Sequence, residues 1–333
     1  MDDVVVRVEG LKKWFPVRLG FFESIISRKS LFVRAVDGIS FDVRKGEIFG
    51  LAGESGSGKT TTGRLVLKLI EPTDGKIFYK NVDVTKLSEK KFKPYRQKLQ
   101  IIFQDPYESL NPKMTIFDIV SEPMRIQGFH GKEVEEKVYE ALENVQLIPP
   151  EEFVSRFPHE LSGGQRQRVG VARALILQPE FIVADEPVSM LDVSIRAEVL
   201  NLMVELMEKY DISFLYITHD LALSKHICNR LAVMYLGKIV EMGDTEKIIN
   251  EALHPYTKSL IAAVPVPDPT SRRSESVIKG EIPSPINPPS GCRFHTRCPS
   301  YIGDICRLRE PQLVDVGSDH KVACHLYSGG KKK

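Results

Sequence analysis

The sequence has few long apolar runs, and this excludes one broad class of protein. None of the apolar stretches in its 333 residues reaches the length of about 18 that a membrane-spanning helix needs. The opening residues, Met-Asp-Asp-Val, lack the basic region of a secretory signal. The net charge is only +2, which gives no electrostatic reason to expect a nucleic-acid partner.

The sequence also lacks internal repeats, coiled-coil heptads and any Cys-x-x-Cys pair. These absences argue against a solenoid, a long helical rod and the commonest kind of zinc site. The chain is nevertheless long, and 42% of its residues are hydrophobic. Length and composition therefore predict one large α/β domain with a smaller appendage.

Residues 53–60 contain the most informative motif in the chain. They read Gly-Glu-Ser-Gly-Ser-Gly-Lys-Thr and match the pattern G-x-x-x-x-G-K-[ST], between an apolar run at 48–52 and a helix-like run at 61–69. A strand, a glycine-rich turn and a helix N-terminus form a cradle for phosphate. Lys59 would reach the β- and γ-phosphates, and the Thr60 hydroxyl would bind Mg²⁺. The residues predicted to contact the nucleotide here are Ser55, Gly56, Ser57, Gly58, Lys59, Thr60 and Thr61.

Candidate catalytic groups follow three other strand-like runs. Four largely apolar residues at 181–184 end in Asp185 and Glu186. A carboxylate at a buried strand end can hold Mg²⁺, so Asp185 is a predicted magnesium ligand, and Glu186 is the predicted general base that polarises water. Gln104, after the run at 99–103, could contact both Mg²⁺ and that water. His219 is predicted to bind the γ-phosphate and Glu186.

A second segment suited to an anion is Leu-Ser-Gly-Gly-Gln at 161–165. Ser162 is a good helix N-cap, Gly163 and Gly164 permit close approach of a ligand, and a basic amphipathic helix follows at 166–177. Gln165 completes the motif. The segment Ser-Met-Leu-Asp follows at 189–192.

Six elements follow one another along the chain: the Gly-Lys loop, Gln104, Leu-Ser-Gly-Gly-Gln, Asp185-Glu186, Ser-Met-Leu-Asp and His219. In this order they resemble the ATPase subunit of ABC transporters from residue 4 to about 250. The resemblance implies a P-loop NTPase fold of the ABC type, with a mixed-sheet core and a helical subdomain at about 88–170 inside a domain of 1–263. It also implies that Ser162, Gly163, Gly164, Gln165 and Asp192 contact ATP held by a second chain, so the protein must dimerise. The family places an aromatic residue against adenine after the first strand. Phe15 is the predicted platform and Trp14 the alternative.

The composition changes after about Val264, which predicts a proline-rich linker and a cysteine-rich appendage at 264–333. Nine of the 21 prolines lie between Pro265 and Pro311. Four cysteines, separated by five, seven and seventeen residues, point to a metal in a reducing compartment. Iron–sulfur chemistry of the [4Fe–4S] type is favoured, while zinc and metal-free redox-active thiols stay open. The predicted ligands are Cys292, Cys298, Cys306 and Cys324. Residues considered as compensating charges or spare ligands are Arg293, Arg297, Arg307, Lys321, His295, His320 and His325.

The appendage narrows the resemblance to the oligopeptide/dipeptide importer ATPases. His-Pro-Tyr-Thr at 254–257, Cys-x-Phe-x-x-Arg-Cys-Pro at 292–299 and Phe-Gln-Asp-Pro-Tyr-Glu-Ser-Leu-Asn-Pro at 103–112 carry it. The insertion before residue 34 resembles the F-type of the two ATPase subunits. Met190 departs from the family, which usually has alanine there.

The resemblance implies the following expectations about function. The chain would hydrolyse ATP to power peptide import, with a D-type paralogue or a second copy of itself, two permease subunits and an external solute-binding protein as partners. It would lie at the cytoplasmic face of the cell membrane as a peripheral subunit. Nickel or sugars are alternative cargoes, and a soluble ABC ATPase of translation or DNA repair is the less favoured alternative.

Overall fold

The computed structural model describes residues 3–17, 31–264 and 280–327. The apolar and basic insertion predicted from about residue 16 to 32, and the linker that begins at 265, lie mostly outside these ranges. The strands are β1 (Val4–Pro16), β2 (Phe32–Arg44), β3 (Ile48–Ala52), β4 (Asp74–Tyr79), β5 (Val82–Asp83), β6 (Leu99–Ile102), β7 (Phe181–Asp185), β8 (Ser213–Thr218), β9 (Arg230–Tyr235), β10 (Lys238–Asp244), β11 (Val314–Asp315) and β12 (Lys321–Val322).

The helices of the described chain are mostly short. They are α1 (Lys59–Val66), α2 (Glu89–Lys98), α3 (Pro106–Ser109), α4 (Ile116–Gln127), α5 (Lys132–Asn144), α6 (Glu151–Val154), α7 (Gly163–Leu175), α8 (Val193–Tyr210), α9 (Leu221–Ile227), α10 (Thr245–Asn250), α11 (Pro255–Ala263) and α12 (Asp304–Leu308). Short 3₁₀ turns occur at Pro158–Glu160 and His325–Tyr327. These elements divide between two compact units, one formed by 3–5, 43–48 and 86–216 and the other by 6–42, 49–85 and 217–327.

The first unit is mainly helical around a short parallel sheet. Within it the strand order is β8, β7, β6, and β6 pairs with β7 in parallel, with Leu99 opposite Phe181. The helix α5 buries Val134, Val138 and Leu142, which recur every four residues along one face. The sequence itself predicts a helix over 134–145 from the helical spacing of its apolar residues, and this helix is confirmed with bounds of 132–144. The predicted helical stretch at 88–170 falls inside this unit, while the domain boundaries themselves stay predictions.

The second unit contains two sheets. One has the order β2, β1, β4, β5, and the other includes the series β11, β12, β10, β9, β3. The strand β3 pairs in parallel with β9, whereas β9 with β10 and β10 with β12 are antiparallel. All five residues of β3 are buried, as expected for the central strand that leads into the phosphate motif. The sheet is thus mixed.

The Asp-Gly pair at 74–75, directly before the strand-like run 76–79, predicts a hairpin turn from the sequence, and this prediction is wrong. Both residues lie inside β4, which pairs with β1 across an irregularity between Glu9 and Lys12. The actual reversal, from β4 into β5, falls at Lys80 and Asn81. Both of those have positive φ angles, 44° and 66°, which suit a tight hairpin turn.

One further expectation concerns the membrane. Within the described ranges, none of the helices is both long and apolar enough to cross a bilayer.

Candidate functional site

The phosphate motif forms a compact loop between β3 and α1 in the second unit. Gly58 has φ +106°, and a Cβ atom there would overlap the carbonyl oxygen of Ala35. At Gly53 a Cβ would likewise overlap the carbonyl oxygen of Met234. A residue with a side chain could fit neither position, so the backbone of the loop depends on glycine at both.

Lys59 begins α1 and folds back over the loop. Its ammonium group donates to the carbonyl oxygens of Gly53, at 2.8 Å, and Glu54, at 3.1 Å. Only 5% of Lys59 is exposed. The nearby Ser57 hydroxyl is buried and has no hydrogen-bond partner among the described residues. A buried cation and an unsatisfied hydroxyl are what a phosphate group would bind, so the donor set fits the predicted ligand.

The rim and the helical end of the loop complete this site. Ser55 and Gly56 are exposed, whereas Thr60 and Thr61 are half-buried in the first turn of α1. The loop therefore presents polar groups to solvent on one side and is anchored by buried groups on the other. The structure places all seven predicted residues in one continuous turn and helix start.

The predicted catalytic carboxylates follow β7 in the first unit. Asp185 is the last residue of the strand and is 5% exposed. Glu186 has φ +46°, in the left-handed region that residues with side chains seldom occupy. Its backbone carbonyl accepts hydrogen bonds from both the amide and the hydroxyl of Ser189. This turn fixes an unusual backbone at the candidate general base, as often seen at functional sites.

Gln104 and Glu186, which the sequence assigns to the same water, lie side by side, and their catalytic roles stay predictions. The side-chain amide of Gln104 donates to Glu186 Oε2 at 3.1 Å. This hydrogen bond from a neutral amide fixes the position of one carboxylate oxygen of the candidate general base.

His219 lies in the second unit, directly after β8, and its side chain is exposed. The turn that carries it is well defined, because the carboxylate of Asp220 accepts from the amides of Ala222 and Leu223 at the start of α9. The amide of Asp220 also donates to the Thr218 hydroxyl. The His219 ring therefore lies on a turn whose backbone is fixed by hydrogen bonds.

The Leu-Ser-Gly-Gly-Gln segment is held by contacts within itself. The Ser162 hydroxyl accepts from the amide of Gln165 at 3.3 Å, and Gln165 Oε1 accepts from the amide of Ser162 at 3.0 Å. This reciprocal pair is a capping box, and it confirms Ser162 as the N-cap. Gly163 and Gly164 occupy the first helical turn. Asp192, exposed at the start of α8, completes the set predicted to face a second chain.

The two candidate adenine platforms differ in how they are held. The Trp14 indole donates to Asp37 Oδ1 at 3.0 Å, and the Arg34 guanidinium lies 4.7 Å from its ring centre. Phe15 is 38% exposed, and its ring has the Lys13 ammonium at 5.1 Å. Phe15 thus presents a more accessible aromatic face, and its role stays a prediction.

The four cysteines of the appendage converge. The amide of Cys292 donates to the carbonyl of Cys306 at 2.8 Å. Burial first, and the nearby thiols of Cys324, Cys298 and Cys306 to a smaller extent, raise the pKa of the Cys292 thiol to about 12, against a backbone hydrogen bond at Phe294 that lowers it. Burial also raises the pKa of Cys324, to about 11, and of Cys298. Among the described residues, no group of three or more His, Cys, Asp or Glu side chains is arranged to hold a single metal ion.

The basic and histidine residues of the appendage have other partners. Arg293 pairs with Asp37, Arg297 with Glu54 and Arg307 with Asp304. His295 Nδ1 lies 2.8 Å from the Cys292 carbonyl, His320 Nε2 lies 2.8 Å from Glu241, and His325 Nε2 lies 2.8 Å from the Arg309 carbonyl. These three arginines neutralise carboxylates, and the three histidines hold the appendage together.

Comparison with known proteins supports the resemblance to ABC transporter ATPases that the sequence motifs suggest. The ABC transporter family model matches residues 36–189, and the model of the oligopeptide/dipeptide transporter C-terminal region matches 240–306. The chain is 48% identical to the oligopeptide transport ATP-binding protein AppF of Bacillus subtilis (strain 168), over 98% of both chains. The chain belongs to the oligopeptide/dipeptide branch of the ABC transporter ATP-binding subunits.

Two further relatives extend this family assignment. The putative oligopeptide transport ATP-binding protein YkfD of Bacillus subtilis (strain 168) is 50% identical over 92% of this chain and 93% of its own. The solved structure of the dimeric ATP-binding cassette MJ0796, in a post-hydrolysis state with ADP and Pi, superimposes with a TM-score of 0.62. It is 25% identical and covers 72% of this chain and 98% of its own. The predicted fold class, a P-loop NTPase of the ABC type, is confirmed.

The sequence did not reveal how this ABC subunit anchors its phosphate loop. Glu54, the second residue of the loop, receives a hydrogen-bonded ion pair from Arg297, and its amide donates to the Tyr256 hydroxyl at 2.9 Å. Both partners lie about 200 or more positions further along the chain, so no local pattern indicates them. The one available signal is that Tyr256 and Arg297 belong to the motifs that define this branch of the family.

Proposed function

We propose that this chain is the ATP-hydrolysing subunit that powers import of oligopeptides or dipeptides through an ABC membrane transporter. The observation that carries the proposal is the 48% identity to an oligopeptide transport ATP-binding protein over 98% of both chains. That identity includes the appendage, which matches the oligopeptide/dipeptide model separately from the ATPase region. Nickel and sugars are alternative cargoes for the same apparatus.

The phosphate loop is the proposed binding site for ATP. Lys59 would exchange its two carbonyl partners for phosphate oxygens, and backbone amides from Ser55 to Thr61 would bind the remaining charge. Thr60 and Asp185 are the proposed protein ligands of Mg²⁺, with Gln104 as a third contact. Phe15 is the proposed platform for adenine.

Hydrolysis then requires a base and little covalent chemistry. Glu186 would accept a proton from the attacking water, and Gln104 would orient its carboxylate through the observed 3.1 Å hydrogen bond. His219 would bind the γ-phosphate. The catalytic contribution is mainly positioning and charge neutralisation, which is why these groups are fixed by capped or strained turns.

A complete site would need two chains. The capped segment containing Ser162, Gly163, Gly164 and Gln165, together with Asp192, is proposed to cover ATP bound to a partner subunit. The partner would be a paralogous D-type subunit, with this chain as the F-type, or a second copy of this chain. Two permease subunits and an extracytoplasmic solute-binding protein would complete the importer, with this subunit peripheral at the cytoplasmic face of the membrane. No nucleic acid takes part.

The four cysteines are the proposed ligands of a [4Fe–4S] cluster. The convergence of the four cysteines supports this, and thiolate is the preferred donor for iron–sulfur chemistry. Such a group would cross-link four positions of a loop-rich segment. Iron and acid-labile sulfide measured after anaerobic purification test it, and a zinc-loaded, colourless protein would contradict it.

The catalytic assignment predicts that binding and turnover can be separated. Glu186→Gln should bind ATP as the wild type does, while hydrolysis falls by at least about 100-fold because the general base is lost. Lys59→Ala should lose ATP binding itself. Equilibrium binding of a fluorescent ATP analogue and phosphate release measure the two effects. Hydrolysis by Glu186→Gln at the wild-type rate would contradict the assignment.

The cargo is tested in the assembled transporter. With its permease and ATPase partners in liposomes, hydrolysis should rise when the solute-binding protein is loaded with an oligopeptide. Stimulation by a nickel complex or a sugar, and none by peptides, would replace the proposed cargo with the alternative.

A further inference from the structure

The appendage contacts the phosphate loop through the buried side chain of Arg297. Arg297, which directly precedes Cys298, donates from Nη1 to Glu54 Oε2 at 3.0 Å and from Nη2 to Glu54 Oε1 at 3.4 Å. The side chain of Arg297 is 7% exposed and that of Glu54 is 23% exposed. Two parallel hydrogen bonds from a guanidinium fix both the position and the orientation of a carboxylate.

Glu54 is in turn joined to the residue that would bind phosphate. Its backbone carbonyl accepts from the Lys59 ammonium at 3.1 Å and from the Ser57 amide at 3.2 Å. Its own amide donates to the Tyr256 hydroxyl at 2.9 Å. Any movement of Glu54 therefore shifts a partner of Lys59.

Arg297 is itself held in place by the second unit. Its Nε donates to the Gly280 carbonyl at 3.2 Å, and Nη1 also lies 3.4 Å from the Tyr235 hydroxyl. Tyr235, Tyr256 and Phe294 pack together with ring centres 4.7 to 5.3 Å apart. These packed aromatic rings therefore help to hold the Arg297 guanidinium in position against Glu54.

The charge of Glu54 makes this contact matter for ligand binding. A carboxylate in the loop, if left unpaired, would repel a triphosphate, and Coulomb repulsion in a partly buried site is much stronger than in water. Arg297 supplies the opposite charge at hydrogen-bonding distance. The appendage therefore contributes to the electrostatic balance of the loop as well as to its shape.

We propose that Arg297 is a positioning residue for the phosphate loop, so that the appendage sets the affinity of this subunit for ATP. The inference rests on the proposed binding of ATP by the loop. The cysteine-rich segment would then affect the affinity of the ATPase for ATP directly, in addition to forming its own folded region.

The test measures the affinity of the purified full chain for a fluorescent ATP analogue, with thermal unfolding recorded for every variant. Arg297→Gln should weaken binding at least tenfold, because it leaves the Glu54 carboxylate unpaired in the loop. Arg297→Lys should weaken it less, since the charge stays and only the fork is lost. Adding Glu54→Gln to Arg297→Gln should recover most of the affinity.

Matched variants separate this effect from general damage. Arg307→Gln removes an exposed ion pair with Asp304 in the same segment and should leave the affinity unchanged. Lys59→Ala should abolish binding whether or not Arg297 matters. If Lys59→Ala binds normally, the proposed ATP site is wrong. If it fails to bind while folded Arg297→Gln binds like the wild type, only the role of Arg297 is wrong.

If Arg297→Gln alone unfolds, the double variant Glu54→Gln with Arg297→Gln still tests the proposal. Recovery of stability without recovery of ATP affinity would mean that Arg297 only docks the appendage, and this would overturn the proposal. Recovery of both supports it.

Discussion

The two glycine-containing segments suited to anions are built in opposite ways. The phosphate loop is fixed by distant residues: Ala35 and Met234 crowd its glycines, and Tyr256 and Arg297 hold Glu54. The segment at 161–165 is closed by its own capping box between Ser162 and Gln165. A site built from remote contacts is coupled to the rest of its unit, whereas a site built locally can keep its shape alone.

The largest predicted effect tests the remote contacts of the phosphate loop. Gly58→Ala would force a Cβ against the Ala35 carbonyl at a positive φ, and should destabilise folding by about 4 kcal/mol. Gly56→Ala is the matched control, because it has φ +77° with no atom within 4 Å of its Cβ position. It should cost only about 1–2 kcal/mol. Urea unfolding measures both, and equal losses would contradict the crowding argument.

The next largest effect is a loss of folding stability at low pH, caused by His254, which contacts the backbone amide of Tyr256. His254 caps α11 by accepting from the amide of Tyr256 at Nδ1, and burial lowers the pKa of His254 from 6.5 to about 4, partly opposed by Glu241. Because the unfolded chain binds this proton more tightly, the stability present above pH 6.5 is lost as the pH falls towards 4. The expected loss is about 3 kcal/mol.

His254→Asn provides the control for that pH dependence, because asparagine can cap the helix without titrating. The free energy of unfolding measured from pH 7 to pH 4 should fall about 3 kcal/mol further for the wild type than for the variant. Parallel pH profiles would show that His254 does not control the acid sensitivity.

A smaller effect is expected in the locally closed segment. Ser162→Ala removes the hydroxyl of the capping box and should destabilise the protein by about 1 kcal/mol, while Ser162→Asn should restore most of it. The affinity of the chain's own phosphate loop for ATP should not change. A loss of ATP affinity in the isolated chain would mean that this segment is not locally independent.

The smallest effects separate the two glycines of the same segment. A Cβ at Gly163 would lie 3.6 Å from Leu191 Cδ2, an ordinary contact, so Gly163→Ala should change stability by no more than about 0.5 kcal/mol. A Cβ at Gly164 would lie 2.6 Å from Ile195 Cγ2, which must move. Gly164→Ala should therefore cost about 1 kcal/mol. Thermal unfolding of the two variants side by side checks the order.

These differences explain what the sequence could predict. The loop at 53–60, the helix at 132–144 and the Ser162 cap depend on residues close in sequence, and all three were predicted. Gln104 and Glu186 were each predicted to act on one water, but the direct hydrogen bond between their side chains was not predicted. The turn at Lys80 and Asn81 was not predicted. The stronger turn signal in the sequence is the Asp-Gly pair at 74–75, but this pair lies inside β4.

Contacts between remote segments could not be predicted in this way. Nothing near Glu54 indicates that its carboxylate meets Arg297, and nothing near Asp37 indicates Arg293, since packing of the folded chain selects these partners. The convergence of four cysteines was expected from their number and context. The metal proposed for them rests on the chemistry of thiol ligands, because their spacing alone does not define one.

The most direct test of the central claim measures the mass of Glu186→Gln by light scattering, alone and mixed with the paralogous subunit. The claim is that ATP bound to one chain is covered by the Ser162 segment of another. With ATP and Mg²⁺ the mass should rise from 37.6 kDa to that of a dimer in at least one of these two samples, and Ser162→Arg should prevent the increase. A chain that retains ATP yet stays at 37.6 kDa both alone and with the paralogous subunit would contradict the account.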